Sequence, residues 1–470
     1  MVQMQQTGSS PASARDARPR GPARRPASGG RAGRWARRLP VLACASLLCA
    51  AAQAADPAPA ATTAGASDPA NWHFSGFATL GWMQSRADQP WRFSRDLTQR
   101  GAGGDGSART DSRLGMQVHG DLASNVEAVT QVVLKERPLN ARASEYLELA
   151  FLGFRPTQNM SVRVGRTSPD LFLLADVRNV GIAYPWVRPS VEYYGWMPFS
   201  SMDGVDASAQ WTLGGANWVA KLGAGQIRST IGVVDRDTSV TLTGRDTVAA
   251  MVSREADGLL IKASFLRTRM DGRSPPAVQQ LLPALDALAQ LDPLPVAGEA
   301  AALREALGFG GLTRYMALGL QYDSGPWTLH AEGSRVRLER GVSGGDRGYV
   351  SASYRWNRFT GYVMAARARP EQRAMGLQTD WAAALTPVLG AAQAQQAAAL
   401  GMGALYAANQ ARFNQSTVSL GLRWDLFDAG ALKLQWDNVH VHADGTAAWR
   451  SASPSDNRAQ VWSAAVDVSF

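Results

Sequence analysis

Cysteine is almost missing from this chain: only Cys44 and Cys49 occur in 470 residues, and both precede residue 55. A long cysteine-free remainder fits an exported protein that avoids disulfide chemistry on its way out. Also missing beyond residue 54 is any run of ~18 uninterrupted apolar residues, which excludes helical membrane spans. Histidine is scarce, at five, so little material exists for a catalytic or metal centre. A basic surface is missing too, despite the net charge of +9. Removing the nine arginines and one aspartate of residues 1–54 leaves 39 basic against 38 acidic residues. A nucleic-acid binder keeps its basic patch in the mature domain, so nucleic acid is excluded as a partner.

The leader has the three parts of a secretory signal peptide. Arg34–Arg38 is a charged region, Leu39–Ala51 an apolar one, and Ala52-Gln53-Ala54 a small-residue cleavage site. The expected organisation is a signal peptide with a basic extension over 1–54, a flexible Ala/Thr/Pro-rich mature start over 55–71, and one domain over 72–470.

What is abundant is two-residue alternation. In the last stretch, Gln460–Phe470, Trp462, Ala464, Val466 and Val468 alternate with Ser463, Ala465, Asp467 and Ser469. About ten alternating residues make a strand with one apolar and one wet face, long enough to cross a bilayer when tilted. The same pattern recurs over Trp72–Trp82, Ser112–Leu122, Val126–Lys135, Glu145–Arg155, Met160–Gly165, Val205–Leu213, Asn217–Gly225, Asp246–Glu255 and Leu259–Thr268. It continues over Arg314–Asp323, Trp327–Val336, Tyr349–Trp356, Phe359–Arg367, Gln415–Asp425 and Ala431–His440. That makes about 16 strands, an even number as bacterial barrels require.

Links of two to five residues alternate with long ones at 84–110, 136–144, 166–204, 226–245, 269–313, 337–348, 368–414 and 441–459. Short periplasmic turns alternating with long outer loops is outer-membrane barrel topology. A soluble sandwich has no reason to segregate its long loops so regularly. The reading is all-β: a transmembrane antiparallel barrel in the outer membrane. Trp72, Trp82, Trp211, Trp218, Trp327, Trp356, Trp424 and Trp462 fall near strand ends, where interfacial girdles sit.

With its strand count, its FSGFATLGW and SRLGMQV strands and its closing aromatic, the chain from Trp72 to Phe470 resembles Gram-negative porins of the 16-stranded type. The resemblance implies that Phe470 is the signal read by the barrel-assembly machinery. It implies a homotrimer that meets outer-membrane lipid, lipopolysaccharide and periplasmic chaperones. It also implies that the third long loop folds into the lumen and narrows it. There Asp170, Asp176, Arg178, Arg188, Glu192 and Asp203 would supply the charges of the constriction.

Strand parity assigns Arg113, Lys135, Arg163, Lys221, Arg254, Lys262, Arg355, Arg367, Arg423 and Lys433 to the wet wall. Glu127, Glu148, Asp206, Asp323, Glu332, Asp437 and Asp467 oppose them. A mildly cationic wall facing a somewhat acidic loop would set a transverse field, with weak anion preference. The fifth and seventh long loops read as short amphipathic helices over Ala277–Gln290, Glu299–Leu307 and Asp380–Ala411. They would cap the mouth, plug it or recognise a ligand.

Enzymatic chemistry is not apparent. Gly101–Gly106 has no Lys-Ser/Thr after it and is no phosphate loop. His440 and His442 stand two apart on one strand, but parity turns them to the lipid side near the outer rim, so no metal site is expected. A hydrolase would need a Ser/His/Asp or Asp/His cluster at that rim. The expected function is passive diffusion of small hydrophilic solutes and ions, without catalytic residues or cofactor. The alternative is a receptor or adhesin barrel with a plugged lumen.

Overall fold

The computed structural model describes residues 71–88, 91–138, 140–232, 239–443, 445 and 456–470. The expected signal peptide and mature start, before residue 71, lie outside the described residues.

Sixteen strands close one antiparallel barrel in which each pairs with its sequence neighbours and the first with the last. In chain order they are β1 Asn71–Ala87, β2 Arg113–Ala123, β3 Val126–Lys135, β4 Leu147–Thr157, β5 Met160–Thr167, β6 Met202–Leu213, β7 Ala216–Gly232 and β8 Ser239–Ala256. Then follow β9 Leu259–Gly272, β10 Gly311–Ser324, β11 Trp327–Leu338, β12 Gly345–Trp356, β13 Phe359–Pro370, β14 Gln415–Phe427, β15 Gly430–Val441 and β16 Asn457–Ser469. The seam pairs Phe77 with Ser469 and Ala87 with Ala459. Beyond it, the Phe470 N–H donates to the Gly76 carbonyl at 2.9 Å, and the Gly76 N–H donates to the Phe470 carbonyl at 2.6 Å. A Cβ at position 76 would lie 2.5 Å from the Phe470 ring, so any larger residue there would have to displace that ring.

Alternation sets the two faces. On β16, Asn457, Ala459, Val461, Ser463, Ala465 and Asp467 are buried, while Arg458, Gln460 and Trp462 are exposed. Across the barrel the exposed positions are mainly large and apolar: Leu114, Leu134, Leu152, Val164, Leu222, Leu318, Val350, Val363, Leu420 and Leu434. A closed barrel with apolar residues outside and bonded polar residues inside is what a bilayer demands. Near the short turns aromatics pair between strands: Trp211 on Trp218, Trp327 on Tyr354, and Phe359 on Trp424.

The link expected over 226–245 is mostly strand. β7 and β8 run on to Gly232 and from Ser239 as a hairpin taller than its neighbour β6. Beyond the irregular steps at Gly225/Ile227 and Arg245/Val248 the polarity inverts. Ile227, Val240 and Leu242 are buried in the large interior cluster, while Arg228 is exposed. The free edge of β7 is covered, since the Thr230 N–H donates to Glu145 at 2.9 Å and the Gly232 N–H to the Leu97 carbonyl at 3.0 Å.

The fifth and seventh loops carry helices α1 Pro276–Leu288, α2 Pro295–Ala306, α3 Trp381–Leu389 and α4 Ala391–Gln410. They pack on one another through Leu285, Leu303, Trp381, Leu385 and Ala404. Glu299 on α2 ties the two loops together: it accepts from the Trp381 indole at 2.6 Å and from the Gln378 and Thr379 N–H groups.

Candidate functional site

The site is built by residues 168–201, between β5 and β6, and by the wall side chains that hold them. Lys433 on β15 is fully buried; its ammonium donates to the carbonyls of Gly181 (2.6 Å), Tyr184 (2.6 Å) and Trp186 (3.0 Å) and pairs with Asp467 at 2.9 Å. Arg423 on β14 donates to the Ile182 carbonyl at 2.7 Å, and Arg113 on β2 to that of Asn179 at 2.5 Å. Lys135 on β3 joins Glu148 (2.8 Å) to the Asn179 side chain (3.1 Å). On another arc, Lys221 of β7 reaches the Ser168 carbonyl at 2.8 Å, and Lys262 of β9 reaches Asp170 and the Phe172 carbonyl.

At the middle of the segment Arg188 holds Asp111 through two hydrogen bonds (3.0 and 2.6 Å), Asp437 at 2.8 Å and Ser463 at 2.5 Å. Burial alone would lower this guanidinium's pKa, but Asp111 beside it more than reverses the effect, so Arg188 stays charged. Burial would likewise raise Asp111, yet Arg188 holds it below the ordinary carboxylate value. Glu192 accepts from Gln415 at 2.6 Å and from Thr417; its burial outweighs those bonds and pushes its pKa up. Glu332 on β11 collects the Tyr194 hydroxyl, the Tyr349 hydroxyl at 2.9 Å and the Leu173 N–H at 2.9 Å. Arg178 braces the segment on itself, donating to the Tyr194 and Met197 carbonyls at 3.1 Å. Between Arg188, Glu192 and Asp437 a cavity of about 10 Å³ remains, room for about one water molecule.

Three positional expectations are corrected. Asp203 is not in the segment: it belongs to β6 and pairs with Arg166 at 2.6 Å on the outward face, beside exposed Val205. Arg254 shares parity with Val248 and Val252, which face outward, and stands opposite Trp218. The parity expected from the sequence puts it on the wet face, but its position near the Asp257-Gly258 turn lets it reach the interface from outside. Arg367 shares parity with exposed Val363 and is satisfied by the Gln415 carbonyl at 2.9 Å and the Asn414 side chain at 2.6 Å.

The remaining wall residues face inward. Arg163 grips Asp206 with two bonds (2.8 and 3.1 Å), Arg355 reaches Asp425 at 3.0 Å, and Glu127 holds Arg155. Glu148 turns inward through an irregular step between β3 and β4. Unpaired charges facing one another across water were expected, but most of these charges neutralise each other in contact. Of the charges on 168–201, Asp176 is the exposed one. Asp111 and Gln435 were missed: parity marks Gln435 as inward, but nothing in the sequence brings loop residue Asp111 to Arg188.

At the outer rim Ser416 lies 3.3 Å from the His442 ring, and Asp456 lies 2.7 Å from that of His440. An acyl-transfer triad needs the carboxylate on the same histidine as the serine. Here it sits on the other one.

No family model matches the sequence, and no curated protein does. Among solved structures, the chain is similar to an anion-selective porin from Comamonas acidovorans, at 12% identity and TM-score 0.46, over 86% of this chain and 100% of that one. OmpF of Salmonella typhi, in a complex with daunomycin, has 12% identity and TM-score 0.47, over 85% and 97%. OprB of Pseudomonas putida has 10% identity and TM-score 0.44, over 85% and 94%. At these identities no residue role carries across.

Proposed function

We propose that this chain is an outer-membrane channel of narrow bore, passing small hydrophilic solutes and ions passively. Residues 168–201 would lie inside the barrel as its constriction. The observation that carries this reading is the set of bonds from that one segment to inward side chains on β2, β3, β7, β9, β11, β14, β15 and β16. A segment held from that many sides of a closed ring fits its lumen better than its mouth. No covalent step, cofactor or nucleotide enters the proposal.

The outer surface supports a lipid partner. Arg314 on β10 stands directly between Arg267 on β9 and Arg337 on β11, and all three are exposed. Like charges in direct cross-strand register destabilise a sheet, and a phosphate-bearing lipid such as lipopolysaccharide would relieve them.

The test is single-channel conductance of the refolded protein in a planar bilayer, with the reversal potential under a salt gradient. Discrete steps support the channel, and steps grouped in threes support the homotrimer that the porin resemblance implies. The close hold of residues 168–201 on so many strands also fits a second reading, a plugged barrel whose helical cap binds a ligand. A correctly folded barrel that stays silent would put that reading first.

A further inference from the structure

We propose that His440, His442 and Asp456 hold a divalent first-row transition-metal ion, such as Zn²⁺, at the outer rim between β15 and β16. Each residue offers one ligand atom, and these atoms lie within 4.8 Å of one another. Donors around tetrahedral zinc at about 2.0–2.2 Å stand roughly 3.3–3.5 Å apart, so small side-chain rotations close the set. Two imidazole nitrogens and one carboxylate oxygen suit zinc, copper or nickel, and three protein ligands leave a position open for water.

The fold assembles this group from two strands. β15 turns His440 outward, in register with Arg458 of β16, and Asp456 precedes that partner by two residues. His442 is fixed just past the end of β15: its N–H donates to the Asn414 carbonyl at 3.0 Å, and Ser416 contacts its ring. The two rings lie 4.1 Å apart between centroids. A plain His–Asp hydrogen bond accounts for His440 and Asp456, but it gives no reason for a second imidazole beside them. A shared cation does.

The surroundings allow it. Arg367 is already committed to Asn414 and the Gln415 carbonyl, so it does not contest Asp456. The outward neighbours Asn438 and Gln460 are polar and exposed, which places the group above the apolar band and in reach of water. Such an ion would clamp the two ends of the eighth loop together.

The experiment is calorimetric titration of the full-length refolded barrel, stripped with chelator, with zinc chloride. One equivalent per chain is expected. His440→Ala and His442→Ala should each weaken binding at least ~tenfold, with barrel integrity checked by heat-modifiable gel migration. A wild-type barrel that takes up no zinc, or a folded H440A/H442A double variant that binds it as wild type does, overturns the proposal. Covalent labelling of Ser416 by a fluorophosphonate would also overturn it, in favour of a Ser–His nucleophile.

Discussion

Arg188 and Asp437 meet at 2.8 Å across 249 residues of sequence. The same guanidinium grips Asp111, so one side chain joins the first loop, the third loop and strand β15. Arg188→Ala would leave two buried carboxylates facing each other without a cation, a loss on the order of 3–5 kcal/mol. The expected outcome is a folded barrel of lower stability and larger unit conductance, read by thermal unfolding and by bilayer recording.

Acid should release the same anchor. Asp111 has its pKa below the ordinary 3.8 in the folded chain, so its ionised form is favoured by folding. Its contribution is present at neutral pH and is lost as pH falls below about 4 and through the folded pKa. Limited proteolysis of residues 168–201 should therefore accelerate only in strong acid. Asp111→Asn should bring that susceptibility up to neutral pH.

Asp176 is the exposed charge of the segment and so the one left to act on passing ions. Asp176→Asn should shift the reversal potential toward anion preference, and Asp176→Arg should shift it further. An unchanged potential in both variants would show that permeating ions do not pass it.

The arginine row of β9, β10 and β11 predicts a lipid effect without a channel effect. Arg314→Glu breaks the middle of the row, so binding to lipopolysaccharide vesicles should weaken severalfold, and more steeply at low salt. Unit conductance should stay as in the wild type, because all three side chains lie outside.

Much of the fold was legible because a bilayer writes polarity at every second residue, as Trp462, Ala464 and Val466 on β16 illustrate. That rule ends where the strands leave the bilayer. On the tall hairpin Ile227 and Leu242 face in while Arg228 faces out, so a search for apolar-outward alternation reads 226–245 as a loop. Parity misplaces Arg254 and Arg367 for a related reason, since near a strand end a charged residue can stand on the outward face. The wall cations of the site were legible from parity. Their partners were mostly not, because Lys433 meets backbone carbonyls of Gly181 and Tyr184, and a carbonyl carries no side-chain signature. Asp111 and Asp456 reach their partners through loop geometry alone.

The seam between β1 and β16 also sets an order of events. Until β16 is present, the far edge of β1 has no partner at Phe77 through Ala87 and offers its N–H and C=O groups to any other strand. The ring is therefore open until its last strand arrives: β1 has to be kept from mispairing until β16 is in place. Whatever holds it in that interval guards an edge that only the last strand can cover.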